Sequence, residues 1–434
     1  MTAPPKGRDP NNVSSSSTLT RQKQKQKPCK KGTSRNSIPP PTGDFALPPP
    51  QPVYSEHGGL RKVKPYMYTF HSWAKERWQG RTLIDIFISD FASDSNPFDT
   101  GIIVVNNQKA TPDQVIQNGD LISNVAHRHE PPVVAGPIRI IYDGRLPGND
   151  GKTLVVEKPG SMPIHPTGRY NFNTLLEILK YDYDLPMVHT SNRLDRLTSG
   201  VMICSLTVEA SKELGAWFGG QRESSVKKEY VARCVGEFPM STVICEEPLL
   251  TLDRQVGVNV VHPDGRDSKT IFERMSYDEK SNTSVVLCRP ITGRTHQIRV
   301  HLQYLGHPIA NDPIYQNSQA WGESGGKGGV YSASDSVAAA AERRRLRGET
   351  FMQVEKERTR HAGGEEEGRE PDKAEEEDGF CTKCFTPLIP DPRPEQLFIW
   401  LHAMRYTTSE WDWKSPLPYW AEAEYEVPVT SILS

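Results

Sequence analysis

The sequence predicts an α+β fold with a mixed or antiparallel central sheet, preceded by a smaller α+β unit. Three observations carry this. Between Gly136 and about Gln316, strand-like apolar runs mix with helix-like ones without the regular βα alternation of a doubly wound sheet. Between about Tyr54 and Pro132 the periodic elements are short and few, as in a small separate unit. The length of 434 residues suits two or three folded units, at roughly 150 residues per domain.

Taken in order, Met1 to Pro50 holds nine Lys or Arg, two acidic residues, a Ser run and two Pro clusters. Such a segment cannot offset its ordering entropy by burial, so it reads as a disordered basic tail. Its stretch Arg21 to Lys31 serves as a solvated linker or, alternatively, as a nuclear signal or an RNA-grazing arm. The small unit, 54–132, has a helix predicted over Thr82 to Phe91, with Leu83, Ile84, Phe87, Ile88 and Phe91 at helical spacing, and a strand over Ile102 to Val105. The larger unit begins at Gly136 and extends to the end of the chain. Its strands are predicted at Ile138–Tyr142, Leu154–Glu157, Val201–Ser205, Glu229–Val235 and Ser284–Arg289. Helices are predicted over Thr174 to Lys180 with Asn173 as N-cap, and over Val208 to Phe218 with Thr207 as N-cap.

From about Asn317 to Gly379 the composition collapses into Gly, Ser and Ala, then an Arg run, then an acidic tract with nine Asp or Glu against two Lys or Arg across His361 to Asp378. Self-repulsion keeps such a stretch solvated, so 317–379 reads as a disordered insertion within one domain. Apolar and aromatic residues return at Leu397 to Leu401 and at Trp411, Trp413 and Trp420, where the fold resumes.

Composition narrows the function classes. The 52 Lys and Arg against 54 Asp and Glu exclude a uniformly basic protein held on nucleic acid by bulk charge, so any such contact comes from local patches. Seven scattered Cys do not form the even framework of a secreted disulfide scaffold, which fits a reducing compartment. No run approaches the roughly 18 apolar residues of a membrane span, and the first thirty residues lack the apolar core of a signal peptide. A cytoplasmic location is expected, with the nucleus or mitochondrion as alternatives.

The chemistry concentrates in Asn192-Arg-Leu-Asp-Arg-Leu-Thr-Ser-Gly200. Asp195, flanked by Arg193 and Arg196, sits in a positive local field that favours a carboxylate, which suits a nucleophile or base. Taken alone, the same spacing more often marks an exposed ion-pair cluster. A second stretch, Gly293-Arg-Thr-His-Gln-Ile-Arg-Val-His-Leu302, gathers side chains able to bond phosphate or base edges. Ile298, Leu302 and Leu305 follow i, i+4, i+7, which predicts a helix with one buried face and leaves Arg294, His296 and Arg299 off the apolar stripe. The third piece is the strand Lys227 to Arg233, in which Tyr230 shares a face with Lys228 and Ala232.

Together these pieces resemble the RluA-type RNA pseudouridine synthases, whose hallmark is Arg-Leu-Asp-Arg-x-Thr-Ser-Gly with a single catalytic aspartate. Further matches are Val155-Val-Glu-Lys-Pro-Gly-Ser-Met-Pro-Ile-His-Pro166 and Gly306-His-Pro-Ile-Ala-Asn-Asp-Pro-Ile-Tyr315. Thr167 to Thr174 and His127-Arg-His-Glu-Pro-Pro132 resemble the eukaryotic branch that modifies position 32 of the tRNA anticodon loop. Gly101 to Asn107 with Asn118 to Ser123 resembles an S4-type RNA-binding module, in which a helix pair and a short sheet grip structured RNA. Asn192 stands where the family often has His, Asn311 where many members have Gly, and Glu157 where Asp is commoner.

The resemblance implies a pseudouridine synthase catalytic domain that needs no cofactor and no metal. Asp195 would attack the target uridine, Arg299 would pair with Asp195, and Tyr230 would stack on the base. Arg193 would fill the gap that the flipped uridine leaves. Arg196, Lys158, Arg294, His296 and Gln297 would join Arg193 in binding RNA. The expected partner is tRNA, with no membrane and no small-molecule cofactor, and the chain is expected to act as a monomer. A non-catalytic RNA-binding or chaperone role, or the same chemistry on rRNA or mRNA, is the alternative. Cys381-Thr-Lys-Cys384 suggests zinc, but a structural site needs four ligands and no second Cys-x-x-Cys exists. His402 or a lone Cys would have to complete it, so a reduced cysteine pair is the expectation.

Overall fold

The computed structural model describes residues 51–90, 102–220, 226–253, 258–317, 321, 324–329, 376–377, 380–384 and 388–428. The basic tail, Phe91 and most of the insertion lie outside the described residues. The chain divides into a small unit containing Phe70–Asn124 and a larger one containing Val125 onward together with the stretch up to Thr69.

The larger unit is built on a ten-stranded sheet: β1 Arg139–Asp143, β2 Thr153–Lys158, β3 His189–Thr190, β4 Ser199–Ser205, β5 Lys227–Val235, β6 Val243–Cys245, β7 Thr270–Asp278, β8 Thr283–Pro290, β9 Leu401–Thr407 and β10 Asp412–Lys414. Its order is β6-β7-β8-β5-β9-β4-β2-β1, with β3 paired to β4 and β10 to β9. All pairs are antiparallel except β4 with β9, which run parallel through Ser199 opposite His402 and Gly200 opposite Ala403. The expected mixed sheet of an α+β fold is therefore what forms. Every predicted strand is present, extended by one to a few residues or shifted by one. The return of apolar residues after the insertion supplies β9, which joins β5 to β4 in the middle of the sheet.

Helix α1 spans Leu175–Asp182 with Thr174 as N-cap, one residue later than expected. Asn173 instead donates its side-chain amide to the Pro131 carbonyl at 3.0 Å. Helix α2 spans Val208–Phe218 as predicted, and Thr207 Oγ1 accepts the Ala210 N–H at 3.1 Å. Both helices bury apolar stripes, Leu175, Ile178 and Leu179 in one and Ala210, Leu214 and Trp217 in the other, against β2 and β4. A second core lies around β5, β7, β8 and β9, where Val231, Phe272, Val286 and Leu401 meet Ile298 and Leu302 of α3, Gln297–Tyr304.

The expected one-faced amphipathic helix is corrected here: every residue from Gln297 to Gln303 is buried. The polar ones are each matched by distant backbone or side chains. His301 bonds Thr270 Oγ1 and Ser268 Oγ, both at 2.9 Å, and Gln303 donates to the Tyr315 carbonyl at 2.9 Å.

Within the expected insertion, Trp321 is 3% exposed and stacks on Tyr315.

The small unit is narrower than 54–132. Tyr54–His57 pairs with Leu60–Val63, which pairs with Val133–Val134, and all three belong to the larger unit. What remains packs one described helix, Leu83–Asp90, on a sheet that includes Ile102–Val105, Gln108–Lys109 and Leu121–Arg128. Leu83, Ile86 and Phe87 face the core with Trp78, Ile103 and Ile122, whereas Ile88 is exposed, so the buried stripe takes in Ile86 in place of Ile88. Asn106 and Asn107, both left-handed, form the tight hairpin turn before Gln108.

Candidate active site

A cleft of about 510 Å³ opens where the loop before β4 meets β5 and the start of α3. Asn192, Arg193 and Asp195 line it from the loop, Lys228 and Tyr230 from β5, Arg294, His296, Gln297 and Arg299 from the α3 turn, and Leu401 and Tyr406 from β9. Asp195 is the only carboxylate among the described residues lining it, in a wall that also carries Arg193, Lys228, Arg294 and Arg299.

The loop reaches this position because Gly200 lets β4 run flush against β9. Its φ is +119°, and a Cβ there would stand 2.3 Å from the Ala403 carbonyl oxygen. Asp195 therefore sits five residues before a fixed crossing, and its carbonyl accepts the Thr198 N–H at 3.1 Å.

Asp195 is partly exposed, at 24% of its side chain, and faces Arg299 Nη1 at 3.9 Å and His296 Nε2 at 3.6 Å. The expected Arg299–Asp195 pairing thus needs correction in its hierarchy. The principal partner of Arg299 is Asp312, which receives Nε at 2.6 Å and Nη2 at 2.9 Å. Both side chains are buried, and Asp312 also accepts the amides of Ile314 and Tyr315. Burial works against both charges, but each outweighs it for the other: the Arg299 pKa is raised and that of Asp312 lowered. Asp312 orients the guanidinium, and the third nitrogen is left turned to Asp195.

His296 caps α3 in a left-handed conformation with φ +57°. Tyr315 Oη accepts the Asn259 N–H at 3.0 Å and lies 2.9 Å from His296 Nδ1. The contact holds the imidazole with Nε2 turned toward Asp195. Burial first, then Arg299, pushes the His296 pKa down to about 4, so the ring is neutral at pH 7.

Tyr230 is held by a hydroxyl contact of 2.7 Å with Tyr406, whose ring lies edge-on at 6.1 Å. Burial raises the Tyr230 pKa to about 12, which keeps the phenol protonated.

The RNA-binding expectations divide. Arg193 and Arg294 are exposed at the cleft, and Arg294 Nε donates to the Asp267 carbonyl at 3.0 Å. Gln297 is buried with its amide occupied: Oε1 accepts from Thr292 and the Arg294 N–H, and Nε2 donates to the Lys269 carbonyl and Thr270. Lys158 is 0% exposed, its ammonium bonded to the carbonyls of Pro159, Met162 and Arg196 at 2.8, 3.0 and 3.4 Å. Burial lowers its pKa to about 7. A group so enclosed braces the loop beneath Asp195 and does not present itself to RNA. Arg196 is absent from the cleft lining and lies 5.6 Å from the Tyr170 ring centroid.

Asp312, Tyr315, Tyr406 and Lys228 received no roles from the sequence. Asp312 and Tyr315 stand in the quoted Gly306 to Tyr315 stretch, which was a usable signal. Tyr406, beyond the insertion, had none. His402 is also engaged elsewhere, with Ser199 Oγ at 2.9 Å and Ser415 Oγ at 2.6 Å.

Residues 152–304 match the family model described as RNA pseudouridylate synthase. The chain is 39% identical over 388 residues to the tRNA pseudouridine(32) synthase, mitochondrial, of Saccharomyces cerevisiae, covering 84% of this chain and 77% of that one. It is 37% identical to the pseudouridylate synthase RPUSD2 of Mus musculus, over 86% of this chain and 74% of the other. The dual-specificity RNA pseudouridine synthase RluA of Escherichia coli is 35% identical over 172 residues, 39% of this chain and 76% of that one. With relatives 39% and 37% identical over most of its length, the chain belongs to the RluA-type RNA pseudouridylate synthases, enzymes of the isomerase class.

Proposed function

We propose that the protein isomerises uridine to pseudouridine in tRNA, at position 32 of the anticodon loop. The observation that carries the chemistry is the carboxylate of Asp195, the only one among the described residues lining the cleft, which also holds Arg193, Lys228, Arg294, Arg299 and Tyr230. The tRNA assignment is supported by the name of the yeast relative. Asp195 attacks the sugar of the target nucleotide as its bond to the base nitrogen breaks, and the base turns and rejoins the sugar through carbon, releasing the Asp195 carboxylate. Nitrogen gains a proton and that carbon loses one, so the product is an isomer and no co-reactant is consumed. Arg299 stabilises the Asp195 carboxylate from its fixed seat on Asp312, Tyr230 stacks on the base, and exposed Arg193 takes the place of the extruded nucleotide. Extrusion costs a few kcal/mol, least for an unpaired base, which favours a loop target. The small α+β unit acts as an S4-like grip on structured RNA, and the protein works as a monomer.

Asp195→Ala is expected to abolish isomerisation while leaving RNA affinity within about 1 kcal/mol, the worth of one partly exposed charge. Retained turnover would overturn the mechanism. Site-resolved pseudouridine mapping of cells with and without the protein tests the substrate: loss at tRNA position 32 supports it, and loss only in rRNA or mRNA replaces it. A fluorescent fusion reports whether the cytoplasm or the mitochondrion is the working compartment.

A further inference from the structure

The cysteine pair that follows the insertion meets two histidines from the other end of the larger unit. His127 lies on the strand Leu121–Arg128 and His129 just past its end. An extended chain repeats every two residues, so both rings leave the same face. The rings stand edge to face, 4.9 Å apart at 89°, with nitrogens converging. Cys381 ends the hairpin of Glu376–Glu377 with Phe380–Cys381, and the turn through Thr382 and Lys383 brings Cys384 to the same point.

His127 Nδ1 is 3.5 Å from Cys381 Sγ and His129 Nε2 is 3.3 Å from Cys384 Sγ. One ligand atom from each of the four residues lies within 4.8 Å of all the others. A tetrahedral zinc ion, with bonds of about 2.3 Å to sulfur and about 2.0 Å to nitrogen, sets nitrogen–sulfur edges of about 3.5 Å. Both nitrogen–sulfur contacts match that edge, and a span of at most 4.8 Å closes onto an ion with about an ångström of side-chain movement.

Two features of the surroundings fit the same reading. The Lys383 backbone N–H donates to Cys381 Sγ at 3.4 Å, which orients the sulfur. Next to His129, the Glu130 carboxylate accepts the amides of Asn171, Phe172 and Asn173 at 2.8 to 2.9 Å and the Tyr66 hydroxyl at 2.6 Å, so the backbone carrying His129 is pinned.

We propose that His127, His129, Cys381 and Cys384 hold one structural zinc ion. Two thiolates and two neutral imidazoles balance its charge, and a soft tetrahedral set of two sulfurs and two nitrogens selects zinc over hard cations. All four positions are filled by protein, so the ion has no open site for catalysis. It joins segments separated by about 255 residues in sequence and fixes where the chain leaves the insertion. From there the chain passes the Asp391–Lys62 ion pair and enters β9, which carries Leu401 and Tyr406 into the cleft. The zinc is thus an anchor for the strand that completes the active site.

The test is metal analysis of the full-length, tag-free protein after dialysis against a weak chelator. One zinc per chain is expected, released stoichiometrically by a mercurial thiol reagent, and cobalt substitution should give tetrahedral and sulfur-to-metal absorption bands. Cys381→Ser/Cys384→Ser should retain under about a tenth of the metal, and so should His127→Asn/His129→Asn, whereas Asp195→Ala retains all of it. Wild-type protein with under about a tenth of an equivalent, even after refolding with zinc, overturns the proposal. So do full zinc content in either double variant and a Cys381–Cys384 disulfide in protein isolated under reducing conditions. The stoichiometry and the cobalt spectrum of the wild type decide the matter even where a variant fails to fold.

Discussion

Replacing Asp312 with Asn keeps the side chain's shape and removes its charge, which isolates what the buried pair does for the active site. Arg299 and Asp312 are 2% and 0% exposed and joined by two hydrogen bonds. In the variant, an amide N–H replaces the oxygen that receives Arg299 Nε, and the nearest remaining anion is Asp195 at 3.9 Å. Removing one partner of a buried pair costs about 3–5 kcal/mol, because the other charge stays buried uncompensated. Urea unfolding followed by tryptophan fluorescence should show a loss of that size. A double-mutant cycle with Arg299→Met should return a coupling of about 2–3 kcal/mol. Turnover should fall by at least about 100-fold, since an ångström of misplacement is worth that much, while RNA affinity changes little. A stability loss under about 1 kcal/mol, or a coupling near zero, would falsify the claim that Asp312 holds Arg299 in place.

Other expectations follow from the same geometry. Lys158→Met should leave the salt dependence of RNA binding unchanged, because the ammonium is enclosed, whereas Arg193→Ala and Arg294→Ala should each flatten the log–log slope by about 0.7–0.9. An unchanged slope in both arginine variants would remove them from the interface. Burial holds His296, His301 and His402 at pKa values of about 4, below the roughly 6.5 of the unfolded chain. The unfolded state therefore takes up protons first. Stability is full above pH about 6.5 and is lost toward pH 4, by up to about 1.4 kcal/mol per pH unit for each ring. Urea midpoints that stay flat across that window would contradict this. Gly200→Ala meets both a positive φ and the Ala403 backbone, so a loss of at least about 2 kcal/mol is expected, with turnover lost through displacement of Asp195. Circular dichroism melts and single-turnover assays would show the reverse if the crossing is loose.

The sequence alone determined the elements whose causes are local. Thr207 caps a helix over Val208–Phe218 because a hydroxyl satisfies an amide three residues on, and the strand runs are apolar over their own length. It also pointed to Asp195, Tyr230 and Arg299, which the fold brings to one cleft, because a linear motif keeps such groups in order. Tertiary structure decided which polar side chains are available. Arg294, Gln297 and Lys158 are alike on paper in offering hydrogen bonds, yet only Arg294 keeps an exposed place at the cleft, since the partners that absorb the other two come from distant segments or from their own turn. The seat of Arg299 on Asp312, the lock of Tyr406 on Tyr230 and the meeting of His127 and His129 with Cys381 and Cys384 have the same origin. Each joins residues beyond the reach of local periodicity, which only the fold brings together, and burial turns a loose chemical option into one fixed partner.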